Sequence, residues 1–81
     1  MTLEELVIYN IKRYRKIKRM SQEKLAEKCE TSTSYIGLLE IGKNIPKLST
    51  IERIEKALEI EPHMLFVNSD TDFKEAKKST F

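Results

Sequence analysis

Met20–Pro46, MSQEKLAEKCETSTSYIGLLEIGKNIP, is the stretch whose reading decides the fold. Its apolar residues fall into two short sets, Leu25, Ala26 and Cys29, then Ile36 and Leu39, each at helical spacing. Helices this short are not stable alone in water, because nucleation costs more than so few turns return, so each must pack on the other. Ser21 and Ser32 stand at N-cap positions, where a hydroxyl oxygen accepts from an orphan backbone N–H. Gly42 follows the second set, where a left-handed C-terminal residue is wanted. Glu30 to Ser32 form the turn, and one of them must take positive φ; Glu30 is the expected one, at a cost of about 1–2 kcal/mol. Ala26 falls at the crossing, where a small side chain lets the two backbones approach.

Upstream, Leu3, Leu6, Val7, Asn10, Ile11, Tyr14 and Ile17 recur at spacings of three and four and predict one helix of roughly four turns. Downstream of Pro46, Leu48, Ile51, Ile54, Ala57 and Leu58 predict another, with Ser49 and Glu52 spaced as a capping box. Glu61-Pro62 stops and restarts the chain ahead of a short turn of helix at His63 to Val67, the fifth of the chain. The pattern ends at Asn68; 69–81 reads as a polar, lysine-rich, mobile tail, with a short helix expected around 73–78. The expectation is an all-α domain over 1–68, five helices around one core, with the tight pair as helices 2 and 3. The expected buried set is Ile11, Tyr14, Leu25, Ala26, Cys29, Ile36, Leu39, Ile51, Ile54, Leu58 and Leu65.

With 81 residues there is room for a single domain, which buries only about 60–65% of its unfolded surface. The net charge of +2 argues little, but its distribution is uneven. Lys12, Arg13, Arg15, Lys16, Lys18 and Arg19 crowd one segment, while acids dominate Glu52 to Glu61. One cysteine excludes an internal disulfide and, with one histidine, a zinc site built from this chain alone. Cys29 reads as a small core residue. No cofactor motif, glycine-rich phosphate loop or catalytic constellation is present, so no metal, cofactor or enzymatic activity is expected. Without a long apolar run or a signal core in the first twenty residues, no membrane association is expected and the location is read as cytoplasmic.

From Ile11 to Phe66 the sequence resembles the lambda-repressor-like (Cro/Xre-type) helix-turn-helix family of phage and bacterial transcription regulators. The resemblance rests on Ile11, Arg15 and Lys18, on Ser21-Gln22-x-x-Leu25-Ala26, Ile36 and Leu39-Glu40-x-Gly42-Lys43, on Pro46, and on Ala57-Leu58 ahead of Met64-Leu65-Phe66. It implies a regulator that binds double-stranded DNA sequence-specifically, with the third helix, about 33–41, in the major groove and the second across the backbone. Gln22, beside Ser21, matches a family phosphate contact, and a helix start with free N–H groups favours an anion there. Lys43 and Lys47 lie on the loop that in the family runs beside the sugar-phosphate chain. Arg15 and Glu40 match a structural ion pair.

The outward face of the third helix is expected to be Thr33, Ser34, Gly37, Leu38 and Ile41, without the Arg, Asn, Gln or Lys that read bases bidentately. Thr33 and Ser34 can bond to base edges or phosphate, Leu38 can meet thymine methyls, and Tyr35 can donate to phosphate from the flank. One module contacts few base pairs, so a homodimer on a palindromic operator is expected, paired through Leu58, Ile60, Met64, Phe66 and Val67. The alternative is a repressor-like scaffold whose exposed Leu38 and Ile41 meet a protein partner, as an antitoxin or regulator partner would, with weak or no specific DNA binding.

Overall fold

The structure, a computed structural model, describes residues 1–68. Four α-helices follow one another, α1 (Leu3–Ile17), α2 (Gln22–Lys28), α3 (Thr33–Glu40) and α4 (Leu48–Leu58), then one 3-10 turn, Met64–Phe66. The class is all-α, with α2 and α3 as the tight pair. The expected tail, its mobility and the helix at 73–78 lie outside the described residues.

The caps of the pair follow the sequence. Ser21 Oγ accepts from the Lys24 N–H at 2.9 Å and Ser32 Oγ from the Tyr35 N–H at 3.0 Å. α3 closes with two bonds, Gly42 N–H to Leu39 C=O at 3.0 Å and Lys43 N–H to Leu38 C=O at 2.9 Å, around Gly42 at φ 81°. This is the paired closure that a left-handed residue makes possible at a helix end. α2 ends the same way around Glu30, at φ 57°, with Glu30 N–H to Glu27 C=O at 3.2 Å and Thr31 N–H to Ala26 C=O at 2.9 Å. Arg19 (φ 56°) and Glu59 (φ 56°) close α1 and α4 likewise, so three of the four closures strain a non-glycine backbone.

All eleven residues of the expected core are buried, joined by Val7 from α1. The α1 stripe is shorter than its sequence pattern: Leu3 and Ile17 are exposed at its two ends. Three expectations are corrected. α4 begins at Leu48, with Lys47 as an N-cap that makes no side-chain bond, so Ser49 is inside the helix and forms no capping box. Buried Pro46 and the bond from Ile51 N–H to Lys47 C=O at 2.9 Å set that earlier start, and it leaves Leu48 78% exposed. The fifth helix is only a 3-10 turn, because Asn10, buried in α1, donates from Nδ2 to the carbonyls of Leu65 at 2.8 Å and Val67 at 2.9 Å. Those carbonyls are held by α1, and Val67 is extended, which ends the turn at Phe66. Leu58, expected at a dimer interface, is 1% exposed and belongs to the core of its own chain.

Candidate nucleic-acid interface

α3 is held at a fixed angle by a buried polar knot. Arg15 of α1 reaches Glu40 at the end of α3 with Nε to Oε2 at 2.6 Å and Nη2 to Oε1 at 3.0 Å, and Nη1 donates to the Met20 carbonyl at 2.7 Å. Gln22, at the start of α2, adds Nε2 to Glu40 Oε1 at 3.0 Å. The two charged side chains are 11% and 1% exposed, so their fork geometry is shielded from water and salt. Burial pushes the Glu40 carboxyl up, but the bonds from Arg15 and Gln22 and the nearby charges of Arg15 and Lys12 outweigh it, and its pKa lies below the ordinary glutamate value. One carboxylate thereby ties α1, α2 and α3 together.

The knot also redirects Gln22. Expected to point at phosphate, it is half-buried with one amide N–H on Glu40, which leaves the second amide hydrogen for an outside acceptor. Ser21 remains exposed, its oxygen occupied as the cap acceptor and its O–H still a donor.

Outside the knot, α3 presents Thr33, Ser34, Leu38 and Ile41 to solvent, with Gly37 half-buried between them. A Cβ at Gly37 would stand 3.8 Å from Gln22 Oε1, ordinary contact, so glycine is not sterically required there. Leu38 on α3 is 41% and Ile41, its C-cap residue, 66% exposed, a large apolar share for so short a segment. Tyr35 is half-buried against the core and lies on the flank that faces α4. Lys43 and Lys47 are exposed on the α3–α4 loop and make no hydrogen bond or ion pair among the described residues.

The profile of the Helix-turn-helix family matches residues 11–65, the segment that contains the knot, the α2–α3 pair and α4. The chain belongs to the helix-turn-helix family. Among similar proteins of this family, the control protein C.BamHI of Bacillus amyloliquefaciens is 46% identical over 43 residues, 53% of this chain and 53% of its own length. The chain thus spans about half the length of that relative. The control protein C.SmaI of Serratia marcescens is 38% identical over 58 residues, 72% of this chain and 69% of that one. The crystal structure of the restriction-modification controller protein C.AhdI from Aeromonas hydrophila superposes with a TM-score of 0.72 at 34% identity, covering 79% of this chain and 96% of that one. The lambda-repressor-like resemblance and the all-α class both stand.

The remaining expected residues lie apart from α3. Ile60, Met64 and Val67 are half-buried and Phe66 is 37% exposed, all beyond α4. Phe66 lines an apolar groove with Leu3, Ile45 and Leu48, of which Leu3 and Leu48 belong to the apolar stripes of the sequence pattern. Two polar residues escaped sequence reading: Asn10, whose only signal is an amide within an apolar stripe, and Arg53, an exposed cation in a segment dominated by acids. Among the described residues no cluster of His, Cys, Asp and Glu could hold a metal ion, and no helix is long and apolar enough to cross a membrane.

Proposed function

We propose that this chain is a sequence-specific regulator of transcription that places α3 in the major groove of double-stranded DNA. The observation that carries the reading is the exposed outer face of α3, fixed from behind by the Arg15–Glu40–Gln22 knot and flanked by unpartnered Lys43 and Lys47. Ser21 and Gln22 at the start of α2 meet one phosphate chain, through the hydroxyl and the free amide hydrogen. Lys43, Lys47 and Tyr35 meet the other and release counterions. Thr33 and Ser34 bond to base edges, and Leu38 reads thymine methyls. With so few hydrogen-bonding readers, much of the discrimination comes from apolar contact and DNA shape.

A homodimer doubles the site on a palindromic operator, with recognition helices about 34 Å apart. Phe66, with Ile60, Met64 and Val67 behind it, forms the contact together with exposed Ile45 and Leu48, in place of buried Leu58. The relatives are named as control proteins, which favours a regulator over an enzyme. Exposed Leu38 and Ile41 also favour the second reading, a scaffold whose α3 meets a protein.

Selection from randomised duplexes, with the mass of the complex measured by sedimentation, tests the proposal. Enrichment of a palindrome bound by two chains is expected. Absence of enrichment, with binding to a protein lost in a variant carrying Leu38→Ala and Ile41→Ala, would overturn it in favour of the scaffold.

A further inference from the structure

Each of the three Arg15 guanidinium nitrogens donates within the protein, whereas Arg53, in the second turn of α4, makes no hydrogen bond or ion pair among the described residues. Its surroundings are mixed, with Cys29 and Ile45 among polar and charged residues. A cleft of about 370 Å³ between the α2–α3 turn and α4 is lined by Arg53 together with Lys47, Tyr35, Thr50 and Asn44. Glu30 stands in the same wall as the one opposing charge. A neighbouring cleft of about 350 Å³ shares Arg53 and Glu30 and adds Lys28 and Lys56. Together the two carry four cations against a single carboxylate, running from the α3–α4 loop along the flank of α4.

From this arrangement we infer that the cleft is a phosphodiester seat for the bound duplex, with Arg53 as its principal cation. The inference rests on the DNA-binding reading above and extends it to a residue outside α3 and its loop. Lys47 and Tyr35 belong both to the proposed interface and to the cleft, so the strand that meets them continues onto Thr50, Asn44 and Arg53. Guanidinium, amide and hydroxyl donors match the non-bridging oxygens of a phosphodiester, and a planar fork engages both at once. Two adjoining basic clefts suit a running polyanion better than a compact free anion. The contact carries no base information: it sets register and strengthens binding to all sequences alike.

Salt-dependent binding of the full chain to a mixed-sequence duplex, followed by fluorescence anisotropy, is the test. Arg53→Gln is expected to lower the slope of log affinity against log salt by about 0.9, weaken specific and non-specific duplexes by the same factor, and leave the far-ultraviolet dichroism unchanged. Arg53→Lys should restore the slope. A wild-type slope in Arg53→Gln, with duplex still bound, overturns the seat and leaves the DNA-binding reading intact. Saturable binding of inorganic phosphate that Arg53→Gln abolishes, again at unchanged slope, assigns the cleft to a soluble anion and likewise overturns it. Wild-type protein indifferent to every duplex at low salt would sink the reading and the seat together.

Discussion

The two shoulders of α3 use their polar side chains in opposite ways. On the α1–α2 side, Arg15 and Gln22 both donate to Glu40, and the two charged side chains are shielded from water. On the α4 side, Lys43, Lys47 and Arg53 are exposed and unpartnered among the described residues. An arginine and a glutamine, both good phosphate ligands by chemistry, serve on the first shoulder to fix the angle of a helix too short to hold itself. On the proposed reading the cationic grip on an anion falls to the second, and the first adds only the remaining Gln22 amide hydrogen and the Ser21 hydroxyl. Orientation and affinity are therefore separable, and mutations on the two sides should fail differently.

Glu40→Ala should produce the largest effect. It leaves the Arg15 guanidinium buried without its carboxylate and unties three helices, so a loss of about 3–5 kcal/mol is expected in urea unfolding. Duplex binding by the fraction still folded should retain its salt slope. The pH dependence of the same unfolding midpoint sharpens the point. Because the folded pKa of Glu40 is depressed, its stabilisation is complete above the ordinary glutamate value of 4.5 and disappears as pH falls through the folded pKa. Glu55 acts oppositely: burial and the charge of Glu52 raise its carboxyl against the pull of His63. Stability should therefore rise slightly as pH drops through that raised pKa, then fall steeply in acid. Glu40→Gln should flatten the acid limb, and Glu55→Gln the gentler rise.

On the other shoulder, Lys43→Ala with Lys47→Ala should leave the unfolding midpoint within about 0.5 kcal/mol of wild type. Their signature is in binding: a salt slope reduced by about 1.8 and an affinity loss uniform across sequences. A loss confined to one operator would erase the distinction between the shoulders. The smallest effect is expected at the turn that joins α2 to α3, where Glu30→Gly relieves the strain of φ 57° and should stabilise the fold by about 1 kcal/mol, read from thermal unfolding.

Much of this was legible in the sequence because it depended on local chemistry. Ser21, Ser32 and Gly42 declare the ends of α2 and α3 through groups whose capping roles are specific, and apolar spacing picked out the core. Glu30 could be predicted as strained because the turn around it is so short. Arg19 and Glu59 could not, since their left-handed closures follow from where helices must stop to pack, with no glycine to announce them. Asn10 hid for a related reason: an amide in an apolar stripe acquires meaning only when Leu65 and Val67 arrive from more than fifty residues away. That same tertiary bond truncates the expected fifth helix. The Arg15–Glu40 pair was accessible through family resemblance, whereas Gln22's turn toward Glu40 depends on a carboxylate brought in from another helix.

Placement of α3 in the major groove is tested most directly by modifying only that groove in a selected duplex. Replacing each thymine by uracil removes its C5 methyl, and replacing each purine by its 7-deaza analogue removes the N7 acceptor, with the minor groove and backbone unaltered. Wild-type affinity is predicted to fall at discrete positions in each half-site, and Leu38→Ala to lose its sensitivity at the thymines it meets. Binding that ignores every such replacement, yet is abolished by a ligand filling the minor groove, would contradict the account.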